Sequence, residues 1–343
     1  MTDLQAEMKR VKARVDDLIL NRLLPKSSTT KEVDLLYRMM QDYPMRQAKG
    51  MRPFLCVTTC RAAGGTEDDA LLTAACIELF QNWILIHDDI EDGSELRRGE
   101  PALHRKYGEA LALNAGDALH ARTWEAILTN EANLGLERTF AVMKEFSHMV
   151  NETTEGQHME LGWVVEKRWD LNEKDYYEMC TRKTSWYTIA SPCRLGAIVA
   201  GEGGAVLGQL REFGIGLGIA FQIQDDSLNL TGDQKKYGKA KSDDILEGKR
   251  TLILLHLLAV ANQGERDKIV SIMNKKREAK SASDVSYVLS LVDKYDAIGF
   301  ARKRAAELMK EALVALNGIR WTGDREAAEM LTSFARFAVE REW

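Results

Sequence analysis

Long hydrophobic runs are scarce in this 343-residue chain. The most apolar stretches, 77–86 and 213–223, are much shorter than the roughly 20 residues of a spanning helix, and both run into acidic residues. They read as buried core helices, and no membrane span is expected. The N-terminus, MTDLQAEMKRVKARVDD, is charged throughout and lacks the apolar centre of a secretory signal. The five cysteines (Cys56, Cys60, Cys76, Cys180, Cys193) have no paired zinc-type spacing, which excludes a zinc module and leaves reduced thiols and a cytoplasmic location as the expectation. Cys56 and Cys60, four apart in an apolar helical stretch, read as small buried side chains. There is no GxxxxGK[ST] loop, so a P-loop nucleotide site is not expected. The net charge is −5, from 47 basic and 52 acidic residues, which argues against nucleic acid as the partner. A small anionic substrate stays open, because a local basic cluster can outweigh the net charge.

Proline is also scarce, at positions 25, 44, 53, 101 and 192 only. Between the prolines lie long stretches rich in Ala, Leu, Glu, Lys and Met. Residues 66–92, 109–133, 136–164, 173–200, 205–231, 250–262, 284–296 and 298–316 fit helical spacing. No stretch shows sustained two-residue alternation between hairpin turns. The pattern predicts an all-α helical bundle forming one domain over 1–343. A core of that size needs no disulfide or structural metal. Its clearest interruption, 232–249, is polar and glycine-containing, and reads as a loop over a site.

Two acidic clusters follow apolar helices. In HDDIEDG, Asp88 and Asp92 are four apart and share a helical face, while Asp89 is rotated away by about a quarter turn. Like charges at that spacing, near the end of a helix where the macrodipole disfavours anions, cost stability that a divalent cation would restore. Mg²⁺ suits such hard oxygen donors. A single cluster of this kind is equally a solvated helix end. The second, FQIQDDSLNLTGD, holds Asp225 and Asp226, with Asn229 four after Asp225. If the two helices lie side by side, the clusters can face each other across a cavity, as in metal sites of helix bundles. Basic residues accompany them: Lys49 and Arg52 upstream, Arg97 and Arg98 after the first cluster, Lys183 beside Thr184, and Lys239, Lys249 and Arg250 after the second. Most surface Lys and Arg are merely solvated. Carboxylates for Mg²⁺ combined with Arg and Lys for oxyanions nevertheless make the equipment for a diphosphate.

Taken together these residues resemble the trans-isoprenyl diphosphate synthases, most closely geranylgeranyl diphosphate synthases. DDIED resembles the first aspartate-rich motif of that family, without insertion, and RRGEPALH the segment that follows it. KGMRP at 49–53, ELFQ at 78–81, KT at 183–184, FQIQDD at 221–226 and GKAKSDDILEGKRT at 238–251 continue the pattern in the family's order. The resemblance implies an isoprenoid-synthase bundle around a central cavity, acting as a homodimer on isopentenyl diphosphate and an allylic diphosphate. It implies Asp88, Asp92 and Asp225 as ligands of three Mg²⁺. It also implies Arg97, Lys183, Thr184, Gln222, Lys239 and Lys249 for the allylic diphosphate, and Lys49, Arg52, Gln81 and Arg98 for isopentenyl diphosphate. Two positions depart from the family: Asn229 stands for the usual third Asp of the second motif, and Glu160 for a frequent Asp. Trp83, five before Asp88, and Phe80, eight before it, occupy the helix face where the family places the floor of its product pocket. They suggest a twenty-carbon product, with fifteen carbons as the runner-up.

Three other readings compete. A class I terpene cyclase shares the fold and an aspartate motif but has no use for a second diphosphate site built from Lys49, Arg52 and Arg98. A His-Asp phosphohydrolase is suggested by His87–Asp88, but His104, His120, His148, His158 and His256 form no matching ligand set. A catalytically silent subunit should have lost the acidic motifs, and both are present.

Overall fold

The computed structural model describes residues 3–231 and 242–340. Most of this is helical, and the strands among the described residues form one antiparallel ribbon, Leu96–Arg97 with Glu100–Pro101. The predicted helices appear as Glu67–Glu91, Glu109–Leu128, Glu131–Val165, Gly204–Thr231, Leu252–Val260, Ala282–Lys294 and Ala297–Asn317. Residues 173–200 form Glu173–Cys180 and Ser191–Val199, joined by a π-helical stretch, Thr181–Ala190. Helix Glu131–Val165 is kinked at Gly135, whose φ of 73° lies outside the helical region.

Beyond the eight predicted spans, five helices of more than ten residues appear, Leu4–Leu18, Lys31–Met45, Met51–Ala62, Gln263–Met273 and Arg325–Glu340, the third of them holding the stretch already read as helical around Cys56 and Cys60, together with the short helix Leu103–Tyr107. The first was hidden by its charge. Val11, Val15 and Ile19 are fully buried along one face, while Arg10 and Arg14 reach out to Glu67. The segment expected as a loop over 232–249 contains a short helix, Asp243–Glu247.

Packing gathers the chain into two compact units. The first takes in the chain up to His148, Thr188–Arg211 and Asn317–Phe334; the second takes in Met149–Tyr187, Glu212–Leu316 and the chain from Ala335. In the first unit, helix Glu67–Glu91 is central and lies against Met51–Ala62, Glu109–Leu128 and Ser191–Val199. It starts with a capping box between Thr66 and Asp69, worth about 1 kcal/mol. By length and composition it could cross a membrane, but 67% of its most apolar window is buried in the fold. Gly196 lets Ser191–Val199 approach Met51–Ala62 closely, since a Cβ there would sit 2.1 Å from the Cys56 carbonyl oxygen. All five cysteines are free and buried.

Candidate active site

The acidic end of helix Glu67–Glu91 organises the site residues of the first unit. The helix stops at Glu91, and Asp92 caps it with near-helical torsions, so Asp88 and Asp92 stay on one face. Asp89, passed over in the sequence, is fully buried. It accepts the Tyr43 hydroxyl at 2.5 Å and the Arg97 guanidinium through Nε at 2.9 Å and through Nη2. Arg97 Nη2 also reaches Asp88 at 3.2 Å. Burial works against the Arg97 charge, but Asp89, with Asp88 and Tyr43 adding, more than offsets it and holds the group charged. Asp89 therefore fixes the guanidinium beside the Asp88–Asp92 face.

The backbone explains why adjacent arginines diverge. Leu96 pairs with Pro101 and Arg97 with Glu100, so Arg98 and Gly99 form a two-residue turn, both at positive φ. The left-handed conformation is natural for Gly99 and strained for Arg98. Arg98 is held there by donating Nη1 to the Tyr43 carbonyl oxygen at 2.9 Å. Buried Arg46 braces the ribbon, donating to the carbonyl oxygens of Arg97 and Pro101. Burial, followed by the charges of Arg97, Arg52 and Arg46, pulls the Arg98 pKa down, with Glu78 as the opposing charge. A crowd of guanidiniums with one nearby carboxylate favours an anion.

Lys49 and Arg52 flank the start of helix Met51–Ala62. Gly50 sets that start at φ 64°, and a Cβ there would meet Lys12 at 2.7 Å. Arg52 is buried and donates to Thr188 Oγ1 at 2.9 Å. Gln81 is half-buried, seven residues before Asp88 and on the same helical face. Tyr43 and Arg46 lie outside every motif, and Glu78 and Asp89 lie within motifs that gave them no role; packing reveals the part of all four in the site.

In the second unit, the π-helical stretch carries Lys183 and Thr184. Two glycines admit it: a Cβ on Gly156 would lie 2.1 Å from the Lys183 nitrogen, and one on Gly218 would lie 2.4 Å from the Ser185 Cα. A π segment is a costly departure from α geometry and tends to mark functional positions. Lys183 pairs with Glu160 at 2.5 Å. Thr184 donates to Gln222 Oε1 at 2.8 Å, and Gln222 donates to Asp226 at 2.7 Å. Tyr176 donates to the other Asp226 oxygen at 2.7 Å. Burial pushes the Asp226 carboxyl up to about 7, opposed by the bonds from Gln222 and Tyr176 and reinforced by the charges of Asp225 and Glu160. Asp225 is half-buried. Lys249 pairs with Glu247 at 2.8 Å. Asn229 accepts the Asp244 backbone N–H on its side-chain oxygen at 3.2 Å, and its own carbonyl accepts Ser242 N–H at 3.0 Å. Lys239 lies outside the described residues.

Asp88 and Asp92 thus belong to one unit and Asp225 to the other. Among the described residues, no group of three His, Cys, Asp or Glu forms a ready-made metal cage. Mg²⁺ commonly takes one or two carboxylates and completes its shell with water and phosphate oxygens, and the Asp88–Asp92 face fits that donor set.

The family model for polyprenyl synthetase matches residues 33–292. The chain belongs to the polyprenyl synthetase family. It is a prenyltransferase. A short chain isoprenyl diphosphate synthase from Methanothermobacter thermautotrophicus is 35% identical over 294 residues, covering 86% of each chain. A geranylgeranyl diphosphate synthase from Saccharolobus solfataricus is 36% identical over 301 residues, covering 85% of this chain and 86% of its own. The solved structure of a geranylgeranyl pyrophosphate synthetase from Pyrococcus horikoshii superposes with a TM-score of 0.85 at 33% identity, over 98% of this chain and 99% of that one. A geranylgeranyl pyrophosphate synthase from Corynebacterium glutamicum, solved with isoprenyl diphosphate and magnesium, gives a TM-score of 0.89 at 25% identity over 99% of both.

The prenyltransferase also has an aromatic wall behind its first acidic motif. Trp83 stacks on His120, with ring centroids 4.0 Å apart and planes 12° from parallel. Trp124 donates its indole N–H to His120 Nε2 at 2.7 Å, which makes that nitrogen the acceptor and places the imidazole proton on Nδ1. Phe80, fully buried, meets Trp83 edge-on at 5.2 Å and Phe146 edge-on at 5.8 Å. Helical spacing put Phe80 and Trp83 on one face, and the family resemblance singled them out. His120 and Trp124 come from helix Glu109–Leu128 and had no sequence signal.

The two arginines of the turn should separate kinetically. Arg98→Ala is expected to raise KM for isopentenyl diphosphate, and Arg97→Ala to weaken the allylic substrate. Loss of one charged bidentate contact is worth about 1.5–3 kcal/mol. Arg97→Ala should also lower Tm, because it leaves the Asp89 carboxylate buried without its cation. Kinetics with each substrate varied in turn, alongside thermal melts, check both; equal effects on the two substrates would refute the split.

Proposed function

We propose that the protein lengthens an allylic diphosphate with isopentenyl diphosphate, releasing diphosphate, and that its main product is geranylgeranyl diphosphate. The observation that carries this reading is the acidic helix end with its ribbon: Asp88 and Asp92 beside an Arg97 oriented by Asp89, with Arg98 turned away toward Asn82 and Tyr43. We take the residues of both units to serve one reaction; that the family model runs through both units supports a single catalytic domain.

In this reading Asp88, Asp92 and Asp225 would hold three Mg²⁺, whose charge would neutralise the diphosphate. Arg97, Lys183, Lys239 and Lys249 hold the allylic diphosphate, and Thr184 and Gln222 shape its pocket. As the C–O bond breaks, negative charge builds on the leaving group, and prepositioned cations stabilise it most at that moment. Lys49, Arg52, Gln81 and Arg98 hold isopentenyl diphosphate, whose double bond attacks the allylic cation. The new C–C bond leaves a tertiary cation, which loses a proton to the released diphosphate. The apolar wall around Phe80 and Trp83 excludes water that would quench either cation.

The enzyme works in soluble form in the cytoplasm, as a homodimer. Leu136 and Phe140 are 72% and 57% exposed on helix Glu131–Val165, the kind of apolar surface a second copy covers. Incubating the purified protein with Mg²⁺, isopentenyl diphosphate and allylic primers of increasing length, then sizing the products, tests the reading. Elongation ending at twenty carbons is expected. A cyclic hydrocarbon, simple hydrolysis or no reaction would overturn it.

A further inference from the structure

Lys249 sits in a backbone that is pinned on both sides. The short helix Asp243–Glu247 ends at Gly248, which takes the left-handed conformation at φ 81°, and the Lys249 N–H returns to the Asp244 carbonyl oxygen at 2.9 Å. A five-residue helix leaves its last carbonyls without internal partners. Here buried cations take two of the nearby carbonyls. Lys280 donates to Leu246 O at 2.7 Å, and Arg250 Nη1 donates to Gly248 O.

Arg250 is unusual in its surroundings. It is 2% exposed, yet no carboxylate pairs with it among the described residues. Its guanidinium carbon lies 4.1 Å from the centre of the Trp169 ring, and its Nε donates to Arg168 O at 3.2 Å. Trp169 is itself held, donating its indole N–H to Asn274 at 3.0 Å. Burial alone pulls the Arg250 pKa down to about 10. Desolvating a guanidinium against carbonyls and a ring face is costly, and an apolar side chain would fill the same space without that cost. What the arginine adds is geometry. Its fork ties the carbonyl before Lys249 to the segment at 168–169, and its own backbone is the residue after Lys249.

We propose that Arg250, braced on Trp169, is a positioning residue that holds Lys249 in place to receive the allylic diphosphate. This inference rests on the reading above that Lys249 binds that diphosphate. A cation delivered on a fixed backbone binds an anion with less ordering cost than one on a free loop. Removing the brace therefore weakens the allylic substrate and spares isopentenyl diphosphate.

The test is steady-state kinetics of full-length Lys249→Ala, Arg250→Met, Trp169→Leu, Trp169→Tyr and the double variant Lys249→Ala/Arg250→Met, with farnesyl diphosphate and isopentenyl diphosphate varied in turn. Lys249→Ala is expected to raise KM for farnesyl diphosphate about tenfold or more, and Arg250→Met about five- to tenfold, with KM for isopentenyl diphosphate held within about twofold. Trp169→Leu should move in the same direction, and Trp169→Tyr, which keeps an aromatic face, should stay near the parent. In the double variant the Arg250 change should add nothing to the Lys249 change, because a brace has no effect once its lysine is gone. Additive effects, equal losses on both substrates, or parent-like kinetics in Arg250→Met and Trp169→Leu would overturn the positioning role. An unchanged Lys249→Ala would instead remove the diphosphate assignment beneath it. If Arg250→Met fails to fold, judged by far-UV circular dichroism, the two Trp169 variants decide the matter.

Discussion

Asp88→Ala should lower kcat by about 10²–10³-fold or more while leaving the fold intact, because loss of a single prepositioned electrostatic partner of the leaving group is worth that much. The structure sharpens the expectation by separating neighbouring carboxylates. Asp88 lies near a helix C-terminus beside Asp89 and Asp92, where the macrodipole and like charges both disfavour it. Its removal should leave Tm unchanged or slightly raised. Asp89 is the opposite case: fully buried, bonded to Tyr43 and Arg97, and needed to balance the guanidinium. Asp89→Ala should cost about 3–5 kcal/mol of stability. In the second unit, Asp225→Ala should behave like Asp88→Ala, whereas Asp226→Ala should disturb the Gln222–Tyr176 network. Single-turnover assays over a range of Mg²⁺ concentration, together with thermal melts, distinguish these cases. Near-normal kcat in a folded Asp88→Ala or Asp225→Ala would sink the metal assignment.

Trp83→Ala should lengthen the product by one or more isoprene units. Trp83 is the bulkiest side chain on the inner face of its helix and stacks on His120. Its truncation leaves a cavity that the wall cannot easily refill, because Phe80, His120 and Trp124 are each held by other contacts. Phe80→Ala, one turn further from Asp88 along the helix, should extend products further, since its ring contacts both Trp83 and Phe146. Loss of a fully buried Phe carries a stability cost of about 3–5 kcal/mol. Phe80→Leu is the gentler companion variant. Product chromatography decides: an unchanged length distribution in both Trp83→Ala and Phe80→Ala would place the floor elsewhere.

The cation-rich turn shows how far a motif can be read. RRG announced two arginines, but their divergence depends on a ribbon register and two positive-φ residues. The same limit applies at Asn229. In sequence it is a departure from an aspartate motif. In the fold it accepts the Asp244 N–H and anchors the segment that leads to Lys249.

By itself, the sequence determined the helical class, most of the long helices, the two acidic ends and the cations that accompany them. These are local properties: apolar spacing, propensity and charge order along the chain are all present in one dimension. Helix Leu4–Leu18 was missed because its narrow apolar stripe is masked by charge until a partner surface covers it. Only the tertiary structure decided which of two adjacent aspartates is buried, that Arg97 and not Arg98 bonds both of them, and where a glycine lets Lys183 approach a neighbouring helix. Only the tertiary structure placed Trp169 beneath Arg250. Each of these depends on residues far apart in the chain meeting within a few ångströms, and neither composition nor spacing encodes such a meeting.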